Sequence, residues 1–188
     1  EGNLIGDESN PFLTIGHAMG MIYPTEDNPV TIHLTEGTFS STLNGEIFPV
    51  NLFSYVNLIG QGEEISILDA EQTARVIKVI NSHNISITTL SLKHGFSGNP
   101  PTNYSFENQG SGLYIDNWGL LGEENTYNTN IEISNVSITY CLVFSHELDN
   151  GFALHLNRSG NPYIINLTLA NNQGGGMMVS SDDPILEN

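Results

Sequence analysis

The chain has 188 residues, with 21 Asp and Glu against 4 Lys and Arg, so its formal net charge is −17 although only 13% of residues are charged. Four cations cannot form a basic stripe against phosphates, which argues against nucleic acid and against adhesion to an anionic membrane surface. At 38% hydrophobic, with 8 Phe and 7 Tyr, the chain is apolar and varied enough to fold around a core.

The run from Asn10 to Met19 reads as a short amphipathic helix. Asn10 is placed to cap it, Pro11 suits its first position, and Phe12, Ile15, Met19 and Ile22 share one face. After turn residues between Pro24 and Pro29, Val30, Ile32 and Leu34 alternate with Thr31 and His33, the pattern of a half-buried strand. From there the chain alternates short β-prone runs with Gly and Asn. No stretch approaches the roughly 18 unbroken apolar residues of a membrane-spanning helix, and the first residues carry no signal-peptide pattern, as expected of a processed segment.

Self-similarity decides the architecture. Segments beginning at Ile87, Ile133, Ile164 and Ile185 align, and with Thr89, Asn135, Asn166 and Asn188 taken as equivalent the spacings are 46, 31 and 22 residues. The shortest is the bare repeat, and it is the period of a parallel β-helix whose coils stack like on like. Ile87, Ile133 and Ile164 should form one inward stack, and Leu92, Ile138 and Leu169 another. A second ladder is expected to align Gly112-Leu113-Tyr114-Ile115 with Gly151-Phe152-Ala153-Leu154 and Gly176-Met177-Met178-Val179, with Ile77-Lys78-Val79 as an earlier member. The excess over the bare repeat places insertions near Phe96 to Asn108, Leu120 to Thr129 and Leu142 to Asn150. Asp183-Pro184-Ile185 repeats Asn161-Pro162-Tyr163, so a further coil is expected to begin there and the protein to continue past Asn188 with more coils or a partner domain.

The fold class expected is therefore all-β: a right-handed parallel β-helix spanning residues 1–188 as a single domain, covered at its start by one short helix. Asn10-Pro11-Phe12-Leu13-Thr14-Ile15 before a small helix, then Val30-Thr31-Ile32-His33-Leu34, Glu36-Gly37-Thr38-Phe39, Val56-Asn57-Leu58-Ile59-Gly60 and Ile67-Leu68-Asp69, resembles the N-terminal region of secreted right-handed β-helix repeat proteins of the pectate-lyase-like superfamily. That resemblance implies secretion or a place on the cell surface and contact with polysaccharide. The superfamily mixes lyases, hydrolases, esterases and adhesins, so it does not choose an activity.

A lyase of this kind implies an Arg or Lys base beside acidic residues that hold Ca²⁺. The candidate bases are Arg75, Lys78, Lys93 and Arg158. Alternation puts Lys78, Tyr114, Ala153 and Met178 on one outward row, with Asp116 and His155 one step along, so Lys78, Tyr114, Asp116 and His155 are the candidate catalytic set. The same residues equally suit a plain solvent-facing row. No paired-arginine motif and no hydrolase-type Asp-Asp with a downstream Gly-His-Gly is present, and Asp182-Asp183 reads as a turn.

Tyr104, Phe106, Trp118 and Tyr127 concentrate aromatic rings in or beside the insertions and are the candidate glycan-binding residues, since flat rings stack on sugars. Folding back over their own loops is the other use such rings have. Carboxylates at Asp116, Glu123, Glu124, Glu147 and Asp149 are oxygen ligands suited to Ca²⁺, without the spacing of a dedicated calcium loop. The six histidines have no zinc spacing, and the lone Cys141 reads as a small buried residue. Five Asn-x-Ser/Thr triplets, at Asn84, Asn103, Asn135, Asn157 and Asn166, fall largely on the repeat and read as its by-products. The leading expectation is a non-catalytic surface module that binds glycans through inserted loops. The alternative is a lyase or hydrolase acting on acidic or neutral polysaccharide.

Overall fold

The computed structural model of the chain describes residues 6–98, 110–118, 129–143, 151–180 and 183–188. Its one helix in that range, α1 (Ile15–Met21), starts later than the sequence suggested. Thr14, not Asn10, is the N-cap, and its side chain accepts from the His17 backbone N–H at 3.1 Å. Asn10 instead closes a turn on the Asp7 carboxylate, which also accepts from Ser9. The later start has a tertiary cause that local pattern does not contain. The buried Glu46 carboxylate accepts from the free N–H groups of Ile15 at 2.6 Å and Gly16 at 3.0 Å, which fixes the first turn. Ile15 and Ala18 then point into the molecule, with Met19 and Ile22 packed at the margin.

Fifteen strands follow among the described residues, and every ladder between them is parallel. The first face is built from β1 (Val30–His33), β4 (Val56–Ile59) and the leading halves of the long strands β7 (Ile85–Lys93), β10 (Ile131–Thr139) and β13 (Tyr163–Ala170), ending on β15 (Ile185–Glu187). The second face takes β2 (Gly37–Ser40), β5 (Ser66–Asp69) and the trailing halves of the long strands. The third face orders β3 (Val50–Leu52), β6 (Ile77–Ile80), β9 (Leu113–Asp116), β12 (Phe152–Asn157) and β14 (Gly175–Ser180). β8 (Phe96–Ser97) and β11 (Leu142–Val143) pair with each other.

The long strands turn from first face to second at one residue each. Thr89, Asn135 and Asn166 have φ of 60°, 51° and 50°, the left-handed region that asparagine tolerates better than most side chains. The Asn166 amide donates to Asn135 Oδ1 at 2.9 Å, so the corner is also stitched along the axis. Tyr55, Asn84 and Asn130 mark the entry to the first face in the same left-handed way, and His94, Tyr140 and Asn171 mark the exit from the second. Recurrent Asn in the sequence thus reflects three corners per coil, and the glycosylation-like triplets at Asn84, Asn135 and Asn166 coincide with those corners.

The core is the set of stacks the repeat predicted. Ile87, Ile133 and Ile164 sit side by side and are almost wholly buried, and Leu92, Ile138 and Leu169 form the parallel stack, so the spacings of 46 and 31 are those of the coils. Tyr163 pairs with Ile185 and Ile164 with Leu186, which places the 22-residue repeat at the last described turn. Each buried Ile or Leu contributes about 1.5–3 kcal/mol relative to exposure. Leu186, in the final strand, remains 57% exposed.

One predicted register is corrected. On the third face Leu113 pairs with Leu154 and Tyr114 with His155, so β12 is shifted by two residues from the alignment that put Phe152-Ala153-Leu154 against Leu113-Tyr114-Ile115. A slip of two preserves which side chains face inward, so apolar alternation is blind to it, and the Gly112/Gly151 match was misleading. β14 keeps its expected alignment with β9, Met177 and Met178 continuing the rows of Leu113 and Tyr114, but against β12 it is shifted by the same two residues, with Met177 beside Leu154 and Met178 beside His155.

Candidate functional site

The third face gathers the candidate catalytic residues. Ile77, Val79, Leu113, Ile115, Leu154 and Leu156 fill the interior, which turns the opposite parity outward. Lys78, Tyr114 and His155 therefore lie abreast on β6, β9 and β12, and one step along Asp116 lies beside Asn157. All four share one face. His155 is the partner of Tyr114 across the ladder rather than of Asp116.

Their contacts differ sharply. Tyr114 is only 6% exposed; its hydroxyl donates to Asp116 Oδ2 at 3.1 Å, and the Arg75 guanidinium lies 5.0 Å from the centre of its ring. Burial, reinforced by the charge of Asp116 and that hydrogen bond, pushes the Tyr114 hydroxyl up to about 12 against the pull of Arg75 and Arg158. His155 meets the Tyr114 ring edge-on at 5.4 Å and is 1% exposed, and among the described residues neither of its ring nitrogens has a hydrogen-bond partner. Burial holds its pKa down to about 4, Arg75 adding to the effect and Asp116 opposing it. At neutral pH the tyrosine thus keeps its proton and the imidazole is uncharged.

Asp116 has a second partner. Arg158, directly after β12, brings Nη1 to 3.3 Å from Asp116 Oδ1, and its guanidinium also lies 5.7 Å from the centre of the Trp118 ring. Trp118 is 68% exposed. An unbroken chain of contacts, Arg75 to Tyr114 to Asp116 to Arg158 to Trp118, therefore crosses the face, and Lys78 stands abreast of Tyr114. No carboxylate pairs with Lys78 among the described residues.

Three of the four cations in a chain of net charge −17 thus belong to this face, Arg158 paired with Asp116, Arg75 over the Tyr114 ring and Lys78 abreast of Tyr114. The fourth, Lys93, is on the second face, between Asp69 and Thr139 in register. Sequence reasoning named the four as separate candidates and did not see the gathering. The signal was present, since Arg158 follows Asn157, the counterpart of Asp116, but it could be read only with β12 in its true register.

Of the candidate glycan-binding rings, Trp118 is on this face, and Tyr104, Phe106 and Tyr127 lie outside the described residues, as do Glu123, Glu124, Glu147 and Asp149. Among the described residues no group of three His, Cys, Asp or Glu side chains is placed to hold a metal ion. Cys141 is fully buried, and burial raises its thiol to about 11, so it is a core residue and not a thiolate nucleophile. Asn157 is 5% exposed, which hides its amide from glycosylation.

The chain belongs to the family described as "Protein of unknown function (DUF1565)", whose model matches residues 1–183. Comparison with the curated proteins and with the solved structures gives no match.

Proposed function

We propose that the chain is a non-catalytic carbohydrate-binding module of a secreted or cell-surface protein of the pectate-lyase-like kind, and that its third face takes an acidic glycan. The observation that carries this reading is the gathering of Arg75, Lys78 and Arg158 on one face, with Arg158 against the exposed ring of Trp118, in a chain with one further cation. A uronate or sulfated sugar would bring an anion to Lys78 and an apolar ring face to Trp118. The rest of the acidic surface repels the same ligand, so binding is confined to this face.

Burial argues for binding over turnover. Tyr114 and His155 would have to exchange protons with a substrate, yet both are enclosed, and their shifted pKa values hold each in its neutral form. They serve as the rigid floor on which the three cations are arranged.

Affinity electrophoresis through gels containing polygalacturonate tests the reading. The wild-type chain should be retarded, and Arg158→Asn or Lys78→Ala should weaken retention about tenfold or more, the scale of one lost charge-assisted contact. Asparagine suits position 158 because the backbone there is left-handed, with φ of 52°. Absence of retardation would overturn the proposal. Unsaturated sugar ends that form with the wild type and vanish in Asp116→Ala would replace it with the lyase alternative.

A further inference from the structure

The first face carries a different surface. Thr31, Asn57, Ser86, Glu132 and Tyr163 stand abreast in five successive coils, an unbroken line of hydrogen-bonding side chains along the solenoid axis. Beside it runs the left-handed corner of Tyr55, Asn84 and Asn130. The middle of that line, Asn57, Ser86 and Glu132, and this corner, with Glu26 and Pro29 at one end, border an open groove.

The groove is braced from within. Asn130 donates to Asn84 Oδ1 at 2.8 Å, Ser86 donates to Asn57 Oδ1 at 3.0 Å, and Ser134 holds one Glu132 oxygen at 2.9 Å. The Tyr55 ring is steadied edge-on by His83, with centroids 4.9 Å apart. These contacts leave outward-facing lone pairs and amide hydrogens repeated from coil to coil.

We propose that this groove is a second carbohydrate site, for neutral β-linked polysaccharide lying along the solenoid axis. Charge selects the class: the lining contains Glu26 and Glu132 and neither Lys nor Arg, so a uronate chain is repelled where a hydroxyl-rich one can donate to carboxylate and amide oxygens. Spacing selects the direction. Adjacent strands are about 4.8 Å apart, close to the advance per ring of an extended β-linked chain, so consecutive sugars meet equivalent side chains. Asn57, Ser86 and Glu132 line the groove itself, and their row runs on to Thr31 and Tyr163 beyond its two ends, about 19 Å in all on that spacing, the reach of roughly four rings, with the Tyr55 ring in the lining as a flat contact. The site rests on none of the residues of the acidic-glycan face, so the chain would bridge two kinds of polysaccharide.

Titration of the ¹⁵N-labelled chain by NMR with cellohexaose, xylohexaose and cellobiose tests it. The expected result is saturable shifts of the Asn57, Asn84 and Asn130 side-chain amides by a hexamer, with at least tenfold weaker binding of cellobiose. Asn57→Ala and Glu132→Ala, both at outward strand positions, should each weaken the hexamer severalfold and leave retention on polygalacturonate unchanged. No saturable shift with either hexamer, equal affinity for dimer and hexamer, or equal shifts with hexagalacturonate would overturn the proposal. Because polygalacturonate retention is read separately, failure here is distinct from failure of the acidic-glycan face.

Discussion

His155 is the residue under the greatest electrostatic tension. Its imidazole is enclosed, both nitrogens lack a hydrogen-bond partner among the described residues, and burial depresses its pKa from 6.5 to about 4. The unfolded chain takes up this proton as pH falls through 6.5, whereas the folded chain resists until about 4, so in that window the unfolded state binds more protons and stability drops as pH drops. The depression corresponds to a loss of about 3 kcal/mol from this one group. Urea unfolding of the wild type and His155→Leu at pH 7 and pH 4.5 checks it: the variant should lose less stability between the two pH values, and equal losses would contradict the assignment. At this scale the sequence was legible in parity and opaque in depth. Alternation placed Lys78, Tyr114, Asp116 and His155 on one face, because a period of two survives errors of register. It could not distinguish the enclosed Tyr114 and His155 from the partly exposed Lys78, since that depends on what lies above the sheet.

Strands and corners were read well where each coil repeats its neighbour. The equivalence of Thr89, Asn135, Asn166 and Asn188 follows the observed register because a left-handed corner restricts residue type. The helix start was misread, since Glu46, far along the chain, supplies the acceptor that selects Ile15 as the first helical residue. The β12 shift escaped because glycine at 112 and 151 looked equivalent, although each is small for its own local reason. A Cβ on Gly112 would lie 2.2 Å from Ile138 Cγ2, where the third face meets the interior, and one on Gly151 would strike Val143. Gly112→Ala should therefore cost about 1–3 kcal/mol through overpacking. In α1, a Cβ on Gly20 meets nothing within 4 Å, so Gly20→Ala should raise stability by about 0.5–1 kcal/mol. Urea midpoints of the two variants should move in opposite directions; a Gly112→Ala midpoint at or above that of the wild type would show that close approach does not explain Gly112, and a Gly20→Ala midpoint below it would contradict the helix argument.

For the molecule as a whole, the solenoid was legible because each coil can bury its apolar side chains only against the next, which forces equivalent residues to recur in register. Charge distribution was not. Positions 75, 78 and 158 come together only once two further coils have been wound between the first pair and the last, so the sequence offered an acidic chain with a few scattered cations. Among the described residues, folding gathers three of the four cations on the third face, and it puts the chain's single tryptophan on that face, beside Arg158. Trp118 is thus a built-in reporter of ligand binding at the third face. Its intrinsic fluorescence, titrated with hexagalacturonate and in parallel with cellohexaose, should change saturably with the acidic oligomer only, and the change should weaken with added salt and in Arg158→Asn. A flat signal with hexagalacturonate, or an equal response to cellohexaose, would contradict the account.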